Sequence, residues 1–253
     1  MRAIALKAYG RLRRYAPLRL LRKQQVARAR CQIISFQKSG RTWLRAMLDQ
    51  LAIEVPFSHG DAAIAPQLDP RPDFERFADR RIIFLHRDPR DVLVSWYFHT
   101  KNVMGLHELL LSDFIDHPRY GIDAICAYNR RWLDGASQFD DFLAITYENM
   151  HAAPVDTLAR VLRFCGFSEI AQQQLERVIA ENTFSKMKER ERTGVMAAFF
   201  PGRFAEKPTD DEAMKVRRGK VNGFVDYLDA QQVAHCTAIM RKYAFNAAET
   251  RAA

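Results

Sequence analysis

"CQIISFQKSGRTWLRAMLDQL", Cys31 to Leu51, changes character twice within a few residues. QIISF is an apolar run of strand length and QKSG is a polar turn. Beyond it Trp43, Leu44, Met47, Leu48 and Leu51 recur at helical spacing. A strand, a tight turn and a helix make an anion-binding junction, because first-turn amides and the helix dipole favour negative charge there. The Walker loop G-x-x-x-x-G-K-[ST] carries its lysine after the last glycine. Here Lys38 precedes the only glycine, Gly40, and Arg41 follows it. The turn suits an anion, but not in the Walker order. By itself it also reads as an ordinary strand–helix turn with a solvated lysine.

Two further strands follow the first. "RIIFLH", Arg81 to His86, runs into Asp88-Pro89, which opens a helix. "FLAITY", Phe142 to Tyr147, leads to a helix opened by Pro154 and closed near Gly166. Helical spacing also appears near 107–117, 121–135, 169–181, 184–191 and 229–243, whereas 54–80 and 192–215 read as loop. Strands alternating with helices predict an α/β fold of three layers, with a mostly parallel central sheet flanked by helices. Ligands of such sheets bind beyond the carboxyl ends of the strands. There the three strands meet Gln37–Gly40, Arg87-Asp88 and Tyr147–Asn149.

The net charge of +9 is not spread evenly. Residues 1–30 contain ten Lys and Arg and no acid, so the rest of the chain holds 29 bases against 30 acids. Two parts follow: a basic arm, 1–30, and a single domain, 31–253. The near-neutral domain argues against a nucleic-acid binder. Arginines interrupt every apolar run of the arm, which excludes a membrane span or secretory core within it. The arm reads as a peripheral contact with an anionic membrane surface or as a solvated or docked terminal helix, which Pro17 interrupts. Cys31, Cys126, Cys165 and Cys236 are widely spaced, as free thiols in a reducing compartment are. A cytoplasmic location is expected.

Two more segments suit anions. Arg87 lies one helical face from Ser95, so a guanidinium fork and a hydroxyl could share one phosphate. The alternative is a surface salt-bridge cluster of Arg87, Asp88, Arg90 and Asp91. "RRGK", Arg217 to Lys220, concentrates charge and exposed backbone in one turn, although such runs are commonly just solvated.

Taken in order, these segments resemble the PAPS-dependent sulfotransferases. "QKSGRTW" is similar to that family's P-K-S-G-T-T-W loop, and "FLHRDPRDVLVSWYFH" to its strand and helix with an Arg eight residues before a Ser. "YENM" resembles Y-E-D-M, "NTFSKMK" resembles T-S-F-K-x-M-K, and "RRGKVNGF" resembles R-K-G-x-x-G-D-W. Five motifs in order span residues 31–230. The resemblance implies a P-loop-containing nucleotide-binding fold without a metal, and PAPS (3′-phosphoadenosine 5′-phosphosulfate) as donor, with adenosine 3′,5′-bisphosphate as product. It assigns Lys38, Ser39, Gly40, Arg41, Thr42 and Trp43 to the 5′ end, with Trp43 and Phe184 flanking adenine. It assigns Arg87, Ser95, Arg217, Arg218 and Gly219 to the 3′-phosphate, and Tyr147 and Thr183 to adenosine.

The implied reaction is in-line sulfuryl transfer to an acceptor hydroxyl of an alcohol, glycan or lipid-linked compound. The family's histidine base lies in K-T-H-L-P between the first two strands. His59, in "PFSHGD", is the one histidine in that interval, though Phe57 stands where the lysine would be. An ordinary imidazole titrates near neutrality and can take a hydroxyl proton. Lys38 is the second catalytic candidate. His86 reads as structural, His99 as a residue near the acceptor, and His107, His117, His151 and His235 carry no partner pattern. Val195, Met196, Phe199 and Phe200 read as an apolar acceptor lid or as core. The rivals are an ATP-dependent P-loop kinase and a non-enzymatic polyanion or membrane-surface binder.

Overall fold

Cys31–Ile34 (β1) and Arg81–His86 (β3) are closed to solvent along nearly their whole length, which apolar runs achieve only in a sheet covered on both faces. Around them the computed structural model describes residues 30–60, 74–106, 108–196 and 214–245. Most of the basic arm, His107, Phe199 and Phe200 lie outside the described residues. Phe57–Ser58 (β2) and Phe142–Thr146 (β4) complete a four-stranded, all-parallel sheet in the order β2-β1-β3-β4. β2, a strand inside the stretch read as loop, is only two residues long. That is too short to register as an apolar run, and Ile33 and Ile34 opposite Phe57 and Ser58 define it.

Alternate residues of each strand point to opposite faces. Ile33, Ile83, Leu85 and Ile145 pack with Arg41–Gln50 (α1), Pro154–Phe164 (α6) and Gln172–Glu181 (α7). Ile34, Ile82 and Phe84 meet Pro89–Phe98 (α2), Ile122–Asp134 (α4) and Ala230–Lys242 (α9). Each such buried Ile or Phe is worth about 1.5–3 kcal/mol. The three-layer α/β expectation holds.

The remaining helices are Leu111–Ile115 (α3), Tyr147–Ala152 (α5) and Phe184–Arg192 (α8). Asp88 caps α2, accepting the Arg90 N–H at 2.9 Å, and Pro89 occupies the first turn, where a missing N–H costs nothing. α2 continues into a π-helical turn, His99–Val103. None of the helices among the described residues is long and apolar enough to cross a membrane.

The strand order sets the position of the cleft. The chain leaves β1 over one face through α1 and leaves β3 over the other through α2, so the connections diverge between adjacent strands. A crevice opens at such a switch point, beyond the strand carboxyl ends. The Gln37–Gly40 turn and Arg87 flank it.

Candidate active site

The turn after β1 is held in a conformation its sequence only partly favours. Lys38 takes a left-handed φ of 66°, and Gly40 one of 97°. Glycine alone suits the latter place, since an added Cβ would run into the Tyr147 ring, 2.9 Å from Cε2. Tyr147 therefore packs directly beneath the turn. Gly40 at the N-cap of α1 has no side chain to cap it, and no side-chain cap is present among the described residues, so the first turn faces the crevice without a built-in acceptor.

A cavity of about 340 Å³ occupies the crevice. Of the expected site residues it is lined by Lys38, Gly40, Arg41, Thr42, Trp43, His59, Arg87, Ser95, Tyr147, Phe184, Arg217, Arg218 and Gly219. Ser39 and Thr183 do not line it. Ser39 is wholly buried with an unpartnered Oγ, and exposed Thr183 precedes α8, its hydroxyl near Ser185. Trp43 donates its indole N–H to the Asn182 carbonyl at 2.8 Å, which ties α1 to the start of α8.

Arg87 is nearly closed to solvent and highly constrained. It donates to the carbonyls of Lys38 at 3.4 Å and Lys220 at 2.9 Å, pairs with Asp91 at 3.3 Å, and lies 4.2 Å above the Tyr147 ring. Its Nε has no partner. The salt-bridge reading of this cluster was half right. Asp88 and Arg90 do pair, at 2.6 Å, but the group is buried and Arg87 faces the cavity as well.

Two carboxylates, Asp91 and Glu191, fix the loop carrying Arg217 to Gly219, a role their local sequence does not show. Asp91 accepts the N–H groups of Asn222 at 3.0 Å and Phe224 at 2.9 Å. Glu191 accepts those of Lys215 at 2.7 Å and Val216 at 2.8 Å. Both are buried, so the loop is clamped at its two ends. Burial pushes the Asp91 carboxyl up, with Arg87 opposing. Gly219, at φ 61°, has no room for a Cβ, which would lie 2.7 Å from Cε2 of Phe184. Arg217 bonds the Tyr227 hydroxyl and lies 4.3 Å from the Phe98 ring centre, while Arg218 pairs with Asp226 at 3.0 Å.

Burial, with Lys215 beside it, brings the Lys38 ammonium down to about 7 from its ordinary 10.5, Glu191 opposing; Arg217 and Arg87 add to the fall. His99 also lines the cavity; burial and the charges of Lys38, Lys215 and His59 bring it down to about 3. His151 lines the cavity too, 4.8 Å from the Trp43 ring and 4.6 Å from Tyr147. Its position after YENM gave no sign of this. His86 is buried against Phe84, as expected, and burial brings it down to about 4. His235 pairs with Asp116, and His117 accepts N–H groups of its own turn. Met196 is buried beside Met187 and Val216, which favours core over lid at that residue.

His59 follows β2 directly. Its Nδ1 lies 3.0 Å from the Ser35 carbonyl and 3.2 Å from Arg41 Nη1. Its Nε2 lies 2.8 Å from Arg41 Nη2, so the guanidinium faces both ring nitrogens. Tyr128 donates its hydroxyl to the His59 carbonyl at 2.7 Å, fixing the backbone.

A loop lysine, a buried arginine held from two sides and a histidine thus share one cavity. The profile described as "Sulfotransferase domain" matches residues 74–247. Human sulfotransferase 2B1 is 34% identical over 118 residues, covering 43% of this chain and 30% of that protein. Cytosolic sulfotransferase 17 of Arabidopsis thaliana is 22% identical over 280 residues, covering 88% of this chain and 77% of that protein. The match to the human relative, like that to rat sulfotransferase 2A6 at 39%, spans well under half the relative's length. Mouse sulfotransferase SULT7A1, solved with PAP, shares the fold at a TM-score of 0.65 and 18% identity, over 87% of this chain and 86% of that one. Retinol dehydratase, solved with androsterone and inactive cofactor PAP, follows at 0.63 and 18%, over 85% and 80%. With more than half of its residues matched by the domain profile, the chain belongs to the sulfotransferase family.

Proposed function

We propose that the protein transfers a sulfuryl group from PAPS to an acceptor hydroxyl, with His59 as general base. The observation that carries this reading is the convergence, in one cavity, of a loop for the 5′ end and a separate arginine clamp for a second phosphate. The residues suit the donor chemically. Arg87 Nε is a buried polar atom without a partner among the described residues, and Gly40 and Gly219 hold the backbone against aromatic rings where a Cβ has no room. PAPS supplies the activated sulfuryl group and a phosphate as leaving group.

Within that reading the chain's own residues divide the work. Arg87, Ser95, Arg217, Arg218 and Gly219 take the 3′-phosphate, which distinguishes this donor from ATP. Trp43 and Phe184, both lining the cavity, flank the adenine, with Tyr147 beside the adenosine. Lys38, Thr42 and the first amides of α1 neutralise charge on the 5′ side, the kind of fixed stabilisation that contributes most to group transfer. His59 takes the hydroxyl proton. The acceptor is an alcohol, glycan or lipid-linked hydroxyl, and PAPS and acceptor are the partners. Radiolabelled PAPS incubated with phenols, glycans and lipid-linked alcohols tests the proposal. Transfer to one class, lost in His59→Ala, supports it, and no transfer to any class counts against it.

A further inference from the structure

We propose that Asp226 is a specificity-determining residue of the donor site: it holds Arg218 and Lys220 in the free protein and yields both to the 3′-phosphate when the nucleotide binds. This rests on the PAPS reading above and adds Lys220 to the residues of the second phosphate. The geometry is one carboxylate shared between two cations. Arg218 Nη1 donates to Asp226 Oδ2 at 3.0 Å, and Lys220 Nζ donates to both carboxylate oxygens at 2.9 Å. Arg218 and Lys220 flank Gly219 in the chain, and all three line the cavity. The contact follows from the way the loop is folded. Asp91 holds the amides of Asn222 and Phe224, Asn222 takes a left-handed φ of 56°, and a 3₁₀ turn, Gly223–Asp226, returns the chain toward its own start. Asp226 thereby meets residues eight and six positions before it. The Lys220 carbonyl meanwhile accepts Arg87 Nη2 at 2.9 Å, so its backbone belongs to the arginine clamp while its ammonium is held by Asp226.

What draws the two cations away is a stronger anion. All three side chains of the triad are partly exposed, and exposed ion pairs are weak enough to exchange. Lys220 and Arg218 hold the Asp226 carboxyl below its ordinary range, so it is ionised at neutral pH. A phosphate monoester brings about two negative charges and three acceptor oxygens, against one charge and two oxygens for the carboxylate. It can engage a guanidinium fork and an ammonium together. A nucleotide with a bare 3′-hydroxyl brings no charge to this place and leaves the triad as it is. Asp226 thus lowers affinity for a 3′-phosphorylated nucleotide alone, and it takes the two cations back when the bisphosphate product leaves.

The test is calorimetric titration of the full chain with adenosine 3′,5′-bisphosphate and with adenosine 5′-monophosphate. Asp226→Asn keeps the shape and removes the charge. It should tighten the bisphosphate about three- to ten-fold, the worth of one or two exposed ion pairs, and leave the monophosphate unchanged. Lys220→Met should weaken the bisphosphate by a similar factor, again with no effect on the monophosphate. A carboxylate that merely positions Arg218 and Lys220 gives the opposite sign, weaker bisphosphate binding in Asp226→Asn. That result, an unchanged affinity, or an equal change for both nucleotides overturns the proposal and leaves the sulfotransferase reading standing. Failure of the wild type to bind the bisphosphate at all overturns that reading itself.

Discussion

Arg87 and Asp91, one turn apart on the same helical start, form a buried pair at 3.3 Å in which each member also holds a different loop. Arg87 bonds the carbonyl of Lys38 in the first turn, and Asp91 bonds the amides of Asn222 and Phe224. The pair is thus the joint between the Lys38–Gly40 turn and the loop that follows Arg217 to Gly219. Asp91→Asn retains the shape but loses the charge and can satisfy fewer donors. Hydrogen bonds to charged groups contribute about 1.5–3 kcal/mol, so affinity for adenosine 3′,5′-bisphosphate should fall about ten-fold or more. Calorimetry on the variant checks this, and unchanged affinity would remove Asp91 from the clamp.

Lys38 should make donor binding pH-dependent. With its ammonium down to about 7 in the free protein, Lys38 is largely neutral above neutrality, and an incoming anion restores its proton. Affinity should hold steady below about pH 7 and decline above it, with proton uptake at about pH 8 measurable in buffers of different ionisation heat. In Lys38→Arg, which stays charged, that uptake should vanish.

The same groups shape stability. Burial pushes the Glu148 carboxyl up to about 7 from its ordinary 4.5. Between those values the folded chain holds more protons than the unfolded one, so stability falls as pH rises. Lys38 works oppositely: between about 7 and 10.5 the unfolded chain holds the extra proton, and stability rises with pH. Denaturation of the ligand-free protein should show Glu148→Gln flattening only the acidic arm of this profile.

Gly219 and Phe184 give a steric prediction. Gly219→Ala adds a methyl against the Phe184 ring and places alanine at a left-handed φ, a backbone cost of about 1–2 kcal/mol. Gly105 has a φ of 59° and nothing within 4 Å, so Gly105→Ala measures the backbone cost alone. Gly219→Ala should lower Tm more than Gly105→Ala. Adding Phe184→Ala to Gly219→Ala should cost less than Phe184→Ala does in the wild type, a coupling a double-mutant cycle reads directly.

What the chain displays locally was legible in its sequence, and what depends on distant partners was not. β3 was read to its residue bounds. α4 and α9 were read to within a residue or so, and the Asp88-Pro89 start of α2 is as expected. The end of β4 differs because Tyr147 turns into α5. β2 escaped notice, since two residues cannot show an alternation. Asp91 reads locally as a member of a salt-bridge cluster and Glu191 carries no local signal, because the amides they hold lie 131 and 24 residues away or more. Arg41 was expected at the 5′ end of the donor. That its fork rests on His59 depends on β2 setting the two side by side.

The central claim is that this cavity reads a nucleotide by its second phosphate as well as its first. Calorimetric titration with adenosine 3′,5′-bisphosphate, adenosine 5′-monophosphate and ATP tests it most directly, in the wild type and in Arg87→Met. The expected result is clear preference for the bisphosphate over both other nucleotides, with the margin over the monophosphate largely lost in Arg87→Met. Equal binding of mono- and bisphosphate by the wild type, or tighter binding of ATP, would contradict it.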